Sequence, residues 1–285
     1  MSDSQIFKFI KKNKLYIIWF VINFFSCWSM LGGGSRWFWI LLFIYAVSIL
    51  IALTPRGEQL MRIIESARPV LTRQELEYLT PIFEDTYRSV KAKNPKLRYV
   101  ELYLQDIMTV NAFAIGKHTI VLTKGAVEAF SEEELKGVLS HEFGHILNGD
   151  TIAVLLNTIG NGIFAIFVYL FRLIILSIDT LAGAVDKSGV ARGLCNFIKF
   201  ILELMIMLFM FWGQVLLSAN SRKNEFEADR FAYTVGYGAE LVDALYLLQK
   251  MSLSEKMTIS ERIQANHPIL AWRINKVEAL LDGED

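Results

Sequence analysis

The chain has 285 residues, 53% of them hydrophobic, and its 29 basic and 29 acidic residues give a formal net charge of zero. This balance gives no support for nucleic-acid binding, and two distant cysteines, Cys27 and Cys195, exclude a disulfide framework or a CxxC metal site. A mean hydropathy of +0.37 with 20% charged residues predicts a membrane part joined to a soluble part.

The first two predicted elements are apolar segments at residues 15–35 and 37–55, each long enough to cross a bilayer. A Gly-rich link containing Arg36 joins them, so we expect a transmembrane hairpin. A cleaved signal peptide is the alternative for the first segment. It is disfavoured because no small-residue cleavage site precedes a polar sequence and a second span follows at once.

Residues 56–150 have the character of a soluble domain. Thr72 and Glu75 form a predicted capping box that begins a helix extending to Lys93. Residues 97–106 alternate in polarity, and 110–116 with 118–123 predict a hairpin turning at Gly116. We therefore expect a small β-sheet.

A second capping box, Ser131 with Glu134, begins a predicted helix that continues into the third span without a break. Within it lies the HExxH pattern of His141, Glu142 and His145. Residues four apart share one helical face, so two imidazoles can hold one Zn²⁺ while Glu142 contacts a water at the metal.

The third and fourth predicted spans cover about 151–178 and 197–219. Lys199 and Glu203 stand on one helical face and can partly neutralise each other. The alternative is a buried core hairpin of a soluble domain, because Arg172 and Glu203 interrupt the apolar pattern.

Catalytic zinc normally takes three protein ligands and a water. Helices are predicted at 221–235 and 239–251, with a last one opening at Pro268, and the first carries Glu225 and Asp229 on one face. An antiparallel hairpin of the third and fourth spans would bring this helix beside His145. We assign Glu225 to the single zinc ion and Asp229 to orienting a histidine. Their roles could be exchanged, or Glu227 could take the ligand role, although it points to a different face.

Lysine and arginine residues precede the first span and follow the second and fourth. The positive-inside rule therefore places the termini and residues 56–150 on the cytoplasmic side. The predicted parts are an N-terminal segment and hairpin (1–55), a first protease part (56–150), a second hairpin (151–220) and a second protease part (221–285).

HEFGHILNGD, two apolar segments, SRKNEFEAD and NHPILAWRI together resemble the HtpX-like membrane metalloproteases, relatives of the prenyl-protein (CAAX) endoproteases. The resemblance covers most of the chain from Arg56 and the paired N-terminal spans. Together with the four spans counted from the apolar segments, it predicts a mainly α integral membrane protein with a cytoplasmic α+β gluzincin-type zinc protease domain that carries a small β-sheet. It also implies a multi-pass protein of the bacterial inner membrane that cleaves misfolded or damaged membrane proteins in the cytoplasm.

The same resemblance implies roles for three further sites. The segment Asn111, Ala112, Phe113 and Ala114 would be an edge strand that pairs with an extended substrate, or else a plain structural hairpin. His267 and Arg273 match C-terminal elements that would stabilise the oxyanion, reach the metal or support the structure. His118 fits no motif and is predicted on a surface strand.

Two other functions compete with a quality-control protease. One is a dedicated protease of prenyl-peptide type with the same chemistry. The other is a non-catalytic membrane scaffold or transporter with structural zinc, which a closed set of four ligands would favour.

Overall fold

The computed structural model describes residues 13–185, 190–252 and 270–283. In chain order the elements of these ranges are α1 (Lys14–Met30), α2 (Ser35–Ala52), α3 (Pro55–Ile64), β1 (Ala67–Pro69), α4 (Arg73–Lys93), β2 (Glu101–Gln105), β3 (Ala112–Ile115), β4 (Thr119–Thr123), α5 (Lys124–Ala129), α6 (Glu132–Asn148), α7 (Asp150–Val185), α8 (Val190–Val235), α9 (Gly238–Ser252) and α10 (Leu270–Leu281). The fold is mainly helical with one small sheet.

The described residues form two compact units. The first unit contains Leu50–Leu156 and the chain from Ser218 onward, and the second contains Lys14–Ile49 and Asn157–Leu217. Helices α7 and α8 each have residues in both units.

The first unit contains a mixed sheet with the strand order β1-β2-β4-β3. β2 runs parallel to β4, and the other two pairings are antiparallel. The predicted hairpin is present as β3 and β4. The predicted strand at 97–106 is wrong in its first part, because the N–H of Leu97 donates to the carbonyl of Asn94 in a turn and β2 begins only at Glu101.

Both predicted capping boxes are confirmed. Thr72 caps α4 and Ser131 caps α6, and in each case the backbone N–H of the capping residue donates to the carboxylate of the glutamate three residues on. The core of this unit lies between α4, the sheet and α6, and it contains Leu79, Leu104, Ile120, Leu139 and Phe143. One side of α6 is therefore fixed by apolar packing.

The prediction of one helix from Ser131 into the third span is wrong. α6 ends at Asn148, and Gly149 adopts a left-handed conformation with φ 76° before α7 begins at Asp150. Glycine reaches this conformation without the steric cost that a Cβ imposes, so it ends a helix readily.

The opposite correction applies to the fourth span. The sequence predicted a span at 197–219 and a separate helix at 221–235, but α8 is continuous over 46 residues. The run SRKNEFEAD is polar but contains neither proline nor glycine, so the change of polarity does not break the helix. The predicted break at Gly236 is observed, with φ 103°.

The second unit exposes large apolar side chains around a small aromatic core of Phe24, Cys27, Leu41, Tyr45, Phe164 and Val168. The exposed set includes Trp39, Phe43, Ile166, Tyr169, Phe197 and Phe200, and Phe43 is 70% exposed. A core hairpin of a soluble protein would bury such side chains.

Among the described residues, two helical segments are long and apolar enough to cross a membrane, Ser35–Ala52 and Asp150–Ile174, while α1 is apolar but has only 17 residues. The first hairpin is shorter than predicted because Gly32 and Gly33 take positive φ angles and α2 ends before Pro55. Arg172 on α7 pairs with Glu203 on α8, so the two charges that interrupt the apolar pattern contact each other.

Candidate metal centre

The HExxH segment lies in the second half of α6, and its residues face different surroundings. His141 and Glu142 are buried, and Phe143 is fully buried in the core. His141 and His145 stand one turn apart with ring centroids 4.7 Å apart. Packing of Phe143 therefore fixes the rotation of α6, and this rotation directs both imidazoles to one side.

Helix α8 approaches α6 closely at a glycine. A Cβ built on Gly144 would lie 3.0 Å from Ala228 Cα and 3.2 Å from Ala228 Cβ, so the two backbones come nearly into contact. Ala228 is fully buried. Glu225 and Asp229 are four residues apart on one face of α8, on either side of Ala228. This crossing therefore brings both carboxylates to the histidines.

Three side chains converge as a candidate metal site: His141, His145 and Glu225. The two Nε2 atoms are 3.1 Å apart. Glu225 Oε2 lies 3.6 Å from His141 Nε2, and Glu225 Oε1 lies 3.5 Å from His145 Nε2.

These separations fit a tetrahedral ion. Metal bonds of about 2.0–2.1 Å to nitrogen and oxygen place neighbouring donor atoms roughly 3.3 Å apart. Two imidazoles and a carboxylate are also the donor set of many catalytic zinc sites. The residues present therefore fit a zinc ion.

The other ring nitrogen of each histidine contacts an aspartate. His141 Nδ1 lies 2.9 Å from Asp229 Oδ1, and His145 Nδ1 lies 3.1 Å from Asp150 Oδ2. A carboxylate at Nδ1 holds the proton there and leaves the Nε2 lone pair for a metal. Both histidines are therefore oriented as ligands.

Arg273, on α10, joins the two carboxylates of α8. Its Nε and Nη2 donate to Asp229 at 2.8 and 2.6 Å, and its Nη1 lies 3.1 Å from Glu225 Oε2. Arg273 is 4% exposed. Since its donors are engaged with carboxylates, this contact favours the structural role over stabilising an oxyanion.

The site carries an excess of buried negative charge. Four carboxylates of the centre are buried, those of Glu142, Asp150, Glu225 and Asp229, and the centre contains one buried guanidinium, that of Arg273. Burial opposes protonation of His145, but hydrogen bonds to Asp150 and Glu225 and the charges of Glu225 and Glu142 raise its pKa to about 10. This potential favours a cation at the imidazoles.

The pKa of Asp229 is shifted down, whereas that of His145 is shifted up. Burial opposes ionisation, but the charge of Arg273 and hydrogen bonds from His141 and Arg273 lower the pKa of Asp229 to about 2. Asp229 is therefore an anion over the physiological pH range.

The remaining predicted residues lie in several places. Glu142 follows His141 on α6 and is 6% exposed. β3 is an edge strand that contains Ala112, Phe113 and Ala114, and it packs against α6. Glu227 lies 3.7 Å from Lys223, apart from the candidate ligands. His267 and Pro268 lie outside the described residues.

Two buried acidic residues were missed in the sequence. Asp150 ends the HEFGHILNGD segment, and its place at a helix start five positions after His145 is the sequence feature that indicates the contact. Glu58 contacts His118 at 3.1 Å, and no pattern in the sequence indicates a pairing over 60 residues. His118 itself precedes β4 and is half-buried, so its predicted place on a surface strand is wrong.

A helix that supplies two imidazoles and a glutamate, with a carboxylate from a second helix, is the arrangement of metallopeptidases. The chain belongs to peptidase family M48, whose sequence profile matches residues 73–281. The resemblance to HtpX-like membrane metalloproteases is confirmed, because curated proteins similar to this chain are named Protease HtpX.

Two of these relatives come from different bacteria. The chain is 29% identical over 187 residues to Protease HtpX of Pseudomonas fluorescens, covering 64% of this chain and 59% of that protein. It is 28% identical over 204 residues to a Protease HtpX homolog of Bacteroides fragilis, covering 70% and 56%. The chain thus spans less than two thirds of the length of these curated relatives.

A solved structure is also similar. The crystal structure of S. mikatae Ste24p aligns with a TM-score of 0.46 and 22% identity over 97% of this chain and 66% of that one.

Proposed function

We propose that this chain is a zinc-dependent endopeptidase of the membrane that cleaves misfolded or damaged membrane proteins. The observation that carries the proposal is the convergence of His141, His145 and Glu225, with donor atoms 3.1–3.6 Å apart, beside the carboxylate of Glu142. Three ligands and a general base correspond to an open catalytic position, unlike a closed structural set of four. This donor set favours a protease over a scaffold or transporter.

Each polar residue of the centre has a separate task in this proposal. When bound, zinc polarises the scissile carbonyl and makes water acidic enough to react at neutral pH. Glu142 accepts a proton from the water and delivers it to the leaving amine. Asp229 and Asp150 hold protons on the Nδ1 atoms of the two histidines, and Arg273 fixes the two carboxylates of α8.

The substrate would bind as an added strand on β3. Thr123 N donates to Asn111 O, and bonded and non-bonded pairs alternate along an antiparallel ladder. In this register Ala112 and Ala114 belong to non-bonded pairs. Their backbone N–H and C=O groups therefore point away from β4, toward the open edge of the sheet. An extended polypeptide can pair there without regard to its side chains, which suits damaged proteins as a substrate class. His267 would assist at the oxyanion or the metal.

We also propose four membrane spans, formed by α1, α2, the first part of α7 and residues 197–219 of α8. The exposed apolar side chains of the second unit and the flanking lysine and arginine residues support this topology. It divides the chain at about 55, 150 and 220 and places the metal centre in the cytoplasm. Single cysteines at Gly33 and Asp85, probed with an impermeant reagent in intact cells, test it, and labelling at Asp85 rather than Gly33 would reverse the orientation.

The decisive experiment measures zinc content and casein cleavage in detergent. We expect Glu142→Gln to keep zinc and to lose at least about 100-fold in cleavage rate, since a general base contributes roughly 10²–10⁴. Glu225→Ala should lose both zinc and activity. Glu227→Ala is the matched control on the same helix and should behave as the native chain.

Two results would contradict the assignment. Cleavage by Glu142→Gln at the native rate removes Glu142 as the base. Full zinc content in Glu225→Ala removes Glu225 as a ligand.

A further inference from the structure

The turn that joins β3 to β4 lies on a buried carboxylate from another helix. Glu58, on α3, is 6% exposed. Its Oε1 accepts a hydrogen bond from the backbone N–H of Lys117 at 2.7 Å and lies 3.1 Å from His118 Nδ1. One oxygen thus contacts two consecutive residues of the turn.

Gly116 allows this contact. Its φ is +60°, and a Cβ at this position would overlap the Glu58 carboxylate, so a larger residue here would displace that side chain from the turn. From the other side, the hydroxyl of Thr151 in the first turn of α7 donates to the carbonyl of Gly116. The turn is therefore held by α3 and by α7 together.

The opposite end of β3 is held as well. Thr123 Oγ1 accepts from Asn111 N at 3.0 Å and donates to Asn111 O at 2.9 Å. The same hydroxyl accepts from Ala126 N, in the first turn of α5, and so caps that helix. β3 is thus fixed at both ends, and its open edge lies between the two anchors.

We propose that Glu58 is a positioning residue for substrate binding. By holding the turn at Gly116, Lys117 and His118, it keeps the open edge of β3 at a fixed height along α6. The inference rests on the proposed function, in which this edge pairs with the substrate. Without the carboxylate, the peptide N–H of Lys117 loses its acceptor and the free end of the hairpin shifts.

A residue that positions the substrate and a residue that supports the whole fold affect different measured quantities when they are mutated. The zinc ligands would come from α6 and α8, so the metal and the chemical step should be preserved when the turn loosens. Binding of an extended substrate requires the strand edge and should weaken. The expected result is therefore a rise in KM with little change in kcat.

The test uses the full chain in detergent loaded with zinc and labelled β-casein as substrate. Glu58→Ala should raise KM about tenfold, as expected for loss of buried hydrogen bonds, with kcat and zinc content within about twofold of native. Glu58→Gln keeps an acceptor oxygen and should restore KM to within about twofold. Gln59→Ala, at the next and exposed position of α3, is the matched control.

A second measurement does not depend on activity. Hydrogen exchange of the segment 111–118 should be at least about tenfold faster in Glu58→Ala than in native, Glu58→Gln or Gln59→Ala chains. Thr151→Val removes the other anchor with little change of size, and it should raise KM and exchange in the same direction even where Glu58→Ala fails to fold.

The inference is overturned where Glu58→Ala keeps native KM and exchange, where Glu58→Gln is impaired as much as Glu58→Ala, or where zinc is lost with the turn. Failure of the proposed function is a different result: the zinc-loaded native chain then cleaves nothing, while the exchange comparison still reports on the anchor.

Discussion

The two histidines of the metal centre are supported by different parts of the chain. His145 is oriented by Asp150, five residues later in the sequence and just beyond Gly149. His141 is oriented by Asp229 on α8, and Asp229 is itself held by Arg273 on α10. One support is local, and the other requires three helices to assemble.

The two histidines are therefore oriented in two different ways. The local support exists as soon as α6 and the start of α7 form. The long-range support depends on a buried guanidinium among carboxylates, and a buried charge without its partner is costly. The half of the site around His141 should therefore be the more sensitive to mutation.

The largest effect is expected at Arg273. Arg273→Ala leaves the carboxylates of Glu225 and Asp229 buried without their cation and should lower the free energy of unfolding by about 3–5 kcal/mol. Thermal unfolding in detergent and zinc content measure the change. Arg273→Lys keeps the charge but cannot reproduce the paired contact with Asp229, so it should fall between native and Arg273→Ala. Equal stability of all three proteins would contradict the role of this cluster.

A paired comparison of aspartates tests the asymmetry directly. Asp229→Asn should weaken zinc binding by about 10–100-fold, because a group that orients a ligand histidine is removed together with the charge facing Arg273. Asp150→Asn should have the smaller effect, about tenfold, since only the local contact changes. Competition with a chromogenic zinc chelator gives both affinities. A greater loss in Asp150→Asn would reverse the proposed order.

The smallest effect is expected at the boundary between α6 and α7. Gly149→Ala forces a Cβ into a left-handed conformation and should cost about 1 kcal/mol. Gly162→Ala, inside α7 with open space at its Cβ position, is the control and should be neutral or stabilising. Thermal unfolding distinguishes them, and identical shifts would show that the left-handed cap is not required.

Local rules predicted the parts of the fold that local chemistry determines. The capping boxes at Thr72 and Ser131, the β3–β4 hairpin and the HExxH helix were readable because each depends on residues a few positions apart. The pairing of β2 with β4, the contact of Asp150 with His145 and the contact of Glu58 with the turn were not. Strand order and the partners of buried polar groups depend on how distant segments pack.

Helix ends were the other source of error, in both directions. Gly149 ended a helix that hydropathy alone extended, and α8 continued through a change from apolar to polar residues. Hydropathy indicates whether a residue lies in an apolar or a polar environment. The ends of a helix depend instead on the helix propensities of the residues and on glycine or proline. The sequence therefore located Glu225 and Asp229 on a helix but not the length of that helix.

The crossing of α6 and α8 at Gly144 and Ala228 sets the distance between the two helices that carry the candidate ligands. This distance does not depend on which ligand side chains those helices carry. Two backbones in near contact set the distance, so exchanging a donor alters which ion is preferred while the frame keeps its dimensions. A histidine or aspartate in place of Glu225 would retune selectivity among divalent metals on an unchanged scaffold. The crossing thus offers a starting point for redesigning the metal preference of the protein.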